Sequence, residues 1–114
     1  MNQKNLLSAE NKIIIEEKLL AEMTFWNGKD KPQIGDQIIG VVKEIKNVIS
    51  KHGNVINESK LCTITNEGGE RKGVWLTTVL KSKFEELKIG VGDIIGIKYL
   101  GEKKNYQNYL VVKL

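Results

Sequence analysis

The sequence predicts a small, mostly β domain: five short strands, one helix between the third and fourth, and a further helix ahead of the first. Three observations predict it. Residues Ala9 to Met23 hold no glycine or proline and are rich in Glu, Lys, Leu and Ala, a helical texture. From Gln37 onward β-branched residues dominate, which favours strands. Glycine-bearing turns then punctuate the chain between the apolar runs.

The first helix opens at Ser8, a good N-cap, with Glu10 in the first turn to complement the helix dipole. Ile15, Leu19 and Met23 fall on one stripe, widened by Ile13, Ile14 and Leu20. That stripe is expected to pack on the body of the domain, in preference to serving as a partner helix. Residues 27–36 carry the single proline and two glycines and read as a loop. The first strand runs from Gln37 to about Ile49. Gly40 and Val42 share one parity and Ile45 the other, so the strand is expected to bulge, with Gly40 permitting a bend. A polar loop over Ser50–Asn57 leads to a second strand, Glu58–Asn66. Glu67-Gly68-Gly69-Glu70 is a hairpin turn before a third strand, Arg71–Thr77. Thr77 or Thr78 caps a short helix reaching Leu87, in which Leu80, Phe84 and Leu87 share a face. The fourth strand spans Ile94 to about Leu100. A polar loop, Gly101–Asn105, precedes the fifth, Tyr106–Leu114. Gly35-Asp36-Gln37-Ile38 and Gly92-Asp93-Ile94-Ile95 read as the same turn-then-strand grammar.

Five strands with one helix between the third and fourth is the element order of the OB-fold barrel, in which a long, bent first strand serves both sides. Phe25-Trp26, Gly35-Asp36, Gly40-x-Val42, Val74-Trp75-Leu76, the run from Gly92-Asp93-Ile94-Ile95 through Ile97, Tyr99 and Gly101, and Tyr109-x-Val111 together resemble small OB-fold proteins of phages and other mobile elements. The resemblance covers residues 25–114 and divides the chain into an N-terminal helical extension, 1–26, and an OB-fold domain, 27–114. Several such proteins bind single-stranded DNA. What the resemblance implies is largely sequence-independent binding of single-stranded DNA, in replication or recombination; with 6% aromatic residues and no aromatic-dense pair of strands, RNA is the less favoured target.

Composition sets bounds on this reading. The chain has 114 residues and a formal net charge of +4, with 18 basic against 14 acidic side chains. That balance permits a polyanionic partner without requiring one. No apolar run approaches the ~20 residues that span a bilayer, and no signal-peptide pattern is seen, so a cytoplasmic setting is expected. Cys62 is the one cysteine, which excludes an internal disulfide and a multi-cysteine zinc cluster. Its apolar neighbours favour a buried, inert thiol. Gly90-x-Gly92-x-x-x-Gly96 has the wrong spacing for a dinucleotide fingerprint and leads into a strand. His52 is the one imidazole and lacks a metal-ligand neighbour. Neither catalysis, a metal nor a cofactor is expected.

OB folds bind through the face of the second and third strands and the flanking loops. Single strands need cations for phosphates and aromatic faces for bases. Trp75 is the sharpest candidate, but Val74 and Leu76 leave both parities apolar, so its facing is open. On the fifth strand Leu110, Val112 and Leu114 share the parity of Tyr106. That makes Tyr109 the outward candidate, with Tyr106 available at the loop edge. Tyr99 reads as core, and Phe25 and Trp26 as a plug between the helix and the barrel. The cationic candidates are Lys43 and Lys46 on the first strand, Lys51 in the loop after it, Lys60 on the second, Arg71 and Lys72 on the third, and Lys103 and Lys104 in the last hairpin. Arg71 is the single arginine and could both stack and fork onto a phosphate. The competing expectation is an OB-fold interaction module that oligomerises or binds a host protein, through the N-terminal helix or a sheet edge, and ignores nucleic acid.

Overall fold

The structure is a computed structural model and describes residues 8–28 and 31–114, without the side chains of Lys51 and His52. Its elements are α1 (Ala9–Ala21), β1 (Gln37–His52), β2 (Val55–Thr65), β3 (Arg71–Trp75), α2 (Thr78–Glu86), β4 (Ile94–Lys103) and β5 (Tyr106–Lys113). The strands form one antiparallel sheet in the order β3-β2-β1-β4-β5. The sheet is not closed, because no ladder joins β3 to β5.

β1 is the strand on which the sheet turns. Its first five residues pair with β4, and from Val41 onward it pairs with β2. The register slips between Val42 and Glu44, leaving Lys43 as the extra residue of a bulge. Ile38 and Val42 therefore face the core before the bulge, and Ile45 packs against the same core after it. Gly40 sits at the crossing. A Cβ there would lie 2.2 Å from the carbonyl oxygen of Thr65, so only glycine lets β1 approach β2 this closely.

The loop expected over Ser50–Asn57 is much shorter. β1 and β2 continue as a ladder out to His52 opposite Val55, joined by Gly53-Asn54. A two-residue turn with a residue at positive φ, here Gly53 at 62°, matches the twist of a hairpin. The polarity of this segment points to a loop, whereas its turn chemistry at Gly53-Asn54 makes a tight hairpin. The last hairpin shortens similarly. β4 reaches Lys103, and Lys104 and Asn105, both at positive φ, make the turn. The two Gly-Asp turns share one mechanism: Asp36 Oδ2 accepts from Gln33 N–H at 2.9 Å, and Asp93 Oδ2 from Gly90 N–H at 2.8 Å.

α2 is capped by Thr77, whose hydroxyl accepts from Leu80 N–H. It buries Leu80 and Phe84 among Ile38, Val42, Cys62, Ile64, Val74, Ile95, Ile97, Tyr99, Tyr109 and Val111. α1 is capped by Ser8 and approaches β1, yet none of its residues is buried. Ile15 is 49% exposed and Leu19 64%, while Ile13, Leu20 and Met23 are half-buried, so the expected packing of this stripe is realised only in part.

The chain after α1 does the joining instead. Phe25 forms a parallel bridge with Gly73. Gly73 N–H donates to Thr24 O at 2.9 Å, and Trp26 N–H donates to Gly73 O at 2.8 Å. Residues 24–26 thus cap the free edge of β3. Gly73 makes room for this, since a Cβ would meet the Phe25 ring at 2.7 Å. Trp26 then reaches Tyr109 on β5, ring centroids 5.9 Å apart. Asn27 Oδ1 accepts from Trp75 N–H at 2.7 Å, and its Nδ2 donates to Trp75 O at 2.9 Å. The same side chain acts on the Tyr109 hydroxyl, holding its titration down against the burial that raises it. Side chains, not a ladder, bridge the seam between β3 and β5.

Burial pushes the Cys62 thiol up to about 12. It also raises Tyr109, where burial outweighs the opposing effect of the Asn27 side chain and Tyr99 adds to the rise. Both groups hold their protons more tightly folded than unfolded. The stability they contribute is complete below their unfolded values and is lost as pH rises through the folded ones. The urea midpoint is therefore expected to fall from about pH 9 toward pH 12. At pH about 8 Cys62 is expected to react with a thiol reagent only after unfolding. Rapid labelling of the native protein would contradict this burial.

Candidate nucleic-acid interface

The register sorts the candidate residues by face. One set of rows across β1, β2 and β3 reads Ile45–Cys62–Val74 and Val42–Ile64–Lys72. These are core rows. The alternating set reads Lys46–Leu61–Trp75, Glu44–Thr63–Gly73 and Val41–Thr65–Arg71, and belongs to the opposite face.

On that outer face lies a cleft of about 590 Å³. Glu22, Met23 and Thr24 form one wall, and Lys43, Glu44, Lys46, Thr63 and Arg71 line the rest. The bulge at Lys43 brings that side chain into the cleft beside Lys46. Three cations therefore converge, with two carboxylates among them. Lys46 pairs with Glu44 at 3.4 Å, and both side chains are about half exposed. Such a pair is worth under about 1 kcal/mol and is readily exchanged.

Trp75 points away from the core, since Val74 and Leu76 on either side are buried. This resolves its facing. One of its ring faces is stacked on Phe25, centroids 5.3 Å apart and planes 17° apart. The pair forms a half-buried aromatic platform on the face that carries the cleft.

The other candidates scatter. Tyr109 is buried at 4% exposure between Trp26 and Tyr99, so the expected outward facing is wrong and its ring is not available for stacking. The parity of Leu110, Val112 and Leu114 is the exposed one. Counting aliphatics misassigned β5 because the aromatic seam needs Tyr109 inside. Tyr106 is exposed and pairs with Lys103 at the last hairpin. Lys103 and Lys104 are exposed there and do not line the cleft. Lys72 and Lys60 have core-side parity. Lys72 is half-buried, and Lys60 lines a separate groove of about 180 Å³ with Lys81 and Lys88 of the α2 region. The Lys51 side chain lies outside the described residues.

Sequence reasoning missed Phe25, Thr24, Glu22 and Glu44 as parts of this surface. The clue for Phe25 was Gly73, a glycine inside a strand, which signals a close approach. Among the described residues no helix is long and apolar enough to cross a membrane, and no three His, Cys, Asp or Glu are grouped to hold a metal ion. Compared with known proteins, the chain matches no family model, no curated protein and no solved structure.

Proposed function

We propose that the chain is a single-stranded DNA-binding protein of the OB-barrel type, largely indifferent to base sequence, acting in replication or recombination of a phage or mobile element. The barrel reading is supported by the strand order. β1 pairs with both β2 and β4, as in that fold, and the missing β3–β5 contact is spanned by Trp26, Asn27 and Tyr109. The observation that carries the ligand is the convergence of Lys43, Lys46 and Arg71 on one open cleft, on the face that presents Trp75. Phosphates would follow the cations, and a base would lie on the Phe25–Trp75 platform, where stacking contributes ~1–3 kcal/mol. No base-reading set of hydrogen bonds is needed, and the ordinary net charge is offset by this local grouping.

Titration of labelled oligo-dT at two salt concentrations tests the proposal. Anisotropy is expected to rise with an affinity that falls as salt increases. Tryptophan fluorescence is expected to be quenched, mainly through Trp75, because Trp26 is held against Tyr109. Absence of binding at low salt would sink it. One observation favours a second reading, a protein-interaction module: the apolar stripe of α1 is left exposed at Ile14, Ile15 and Leu19. Indifference to oligo-dT together with capture of a partner that Leu19→Lys abolishes would favour that reading.

A further inference from the structure

The outer face of the sheet continues from β1 across β4 and β5, and there it is apolar. Across β1, β4 and β5 the register aligns Ile39–Gly96–Val112, with Val41–Ile94 on one side and Gln37–Lys98–Leu110 on the other. Ile39, Ile94, Leu110, Val112 and Leu114 are all exposed, between 44% and 92%. The same strands bury Ile38, Ile95, Ile97 and Val111 on the core side. An antiparallel sheet normally alternates apolar with polar, and strands apolar on both parities are those covered on both faces.

We infer that this face is the contact between two copies of the chain. Three features favour a second copy over another occupant. The exposed side chains present on the order of 500 Å² of apolar surface, at the upper end for a lone monomer and most of the roughly 800 Å² each partner of a stable pair contributes. The contact would be isologous: a groove of about 340 Å³ is lined by Ile39, Ile94, Leu110, Val112 and Leu114, the side chains of Val112 and Ile39 close over Gly96, and about a two-fold axis the same apolar residues meet on both sides. The charge pattern opposes nothing. Lys98 stands at the rim. Lys113 is turned away, 3.6 Å from Asp93 and bonded to the carbonyls of Leu87 and Lys88. Pairing therefore strands no charge, and the face shares no lining residue with the Lys43–Lys46–Arg71 cleft farther along the same side of the sheet.

Sedimentation equilibrium of the full chain over a concentration series is the test. Twice the 12.9 kDa chain mass is expected. Val112→Lys and Ile39→Lys, both at exposed positions, are each expected to return the mass to one chain, with circular dichroism and oligo-dT titration unchanged. Leu19→Lys on α1 is expected to leave the dimer intact. A single-chain mass at every concentration overturns the inference, as does a dimer that survives both sheet substitutions or is abolished by Leu19→Lys alone. A single chain that floats with phosphatidylcholine vesicles would assign the face to a lipid surface and also overturn it.

Discussion

Replacing Gly40 by alanine is expected to cost about 3 kcal/mol or more of folding stability. The added Cβ would lie 2.2 Å from the Thr65 carbonyl oxygen and 2.8 Å from both its carbonyl carbon and Ile64 Cγ2. Two of those three atoms are backbone, so no rotamer change relieves the contact. Thr65 is fixed as well, paired with Val41 of β1 on one side and Arg71 of β3 on the other. The strain would fall where β1 passes from one neighbour strand to the other, and so on both halves of the sheet at once. At an m-value of about 1.5 kcal/mol per molar, the urea midpoint would drop by about 2 M. Gly68→Ala is the matched control, since its Cβ would meet nothing nearer than the Asn66 side chain at 3.6 Å. Equal midpoints for Gly40→Ala and the parent would mean that the strands do not approach as described.

Gly40 also shows how far the sequence could be read. A glycine beside a change of apolar parity is a local signal, and the bulge it announces falls between Val42 and Glu44 as expected. The caps at Ser8 and Thr77 are equally local and equally legible. Facing on β5 is different. Tyr109 and Leu110 are neighbours, both apolar enough for a core, and the choice between them depends on Trp26, 83 positions earlier in the chain. Strand alternation assigns a face only when one parity is polar, and a sheet with two apolar faces removes that information. The cleft was half legible for a related reason. Sequence reasoning could gather lysines near strands β1 to β3. It could not see that one bulge residue would bring Lys43 beside Lys46, or that register would send Lys60 and Lys72 to the other side. Nor could it see that α1 and the residues after it would bring Glu22, Thr24 and Phe25 to this face.

Those carboxylates give the cleft a signature that a general basic surface lacks. Changing Lys43, Lys46 and Arg71 together to alanine is expected to weaken oligo-dT binding by about 100-fold at low salt. It is also expected to flatten the slope of log affinity against log salt by about 2, near 0.7 for each phosphate that a single strand no longer has neutralised. Changing Lys60, Lys103 and Lys104 together removes the same formal charge from positions outside the cleft. It is expected to alter affinity only a few-fold, through the long-range field alone. Glu44→Gln tests the sign. Its carboxylate holds Lys46 at 3.4 Å and stands among the cations, so its removal frees a lysine and deletes a repulsion, and binding is expected to tighten several-fold. All of these side chains are substantially exposed, so urea midpoints are expected to stay near the parent's and the binding changes can be read directly. If the two triple variants weaken binding equally, the ligand follows net charge and the cleft is not its site. If the cleft variant binds as the parent does and Glu44→Gln changes nothing, phosphate is not recognised on this face at all.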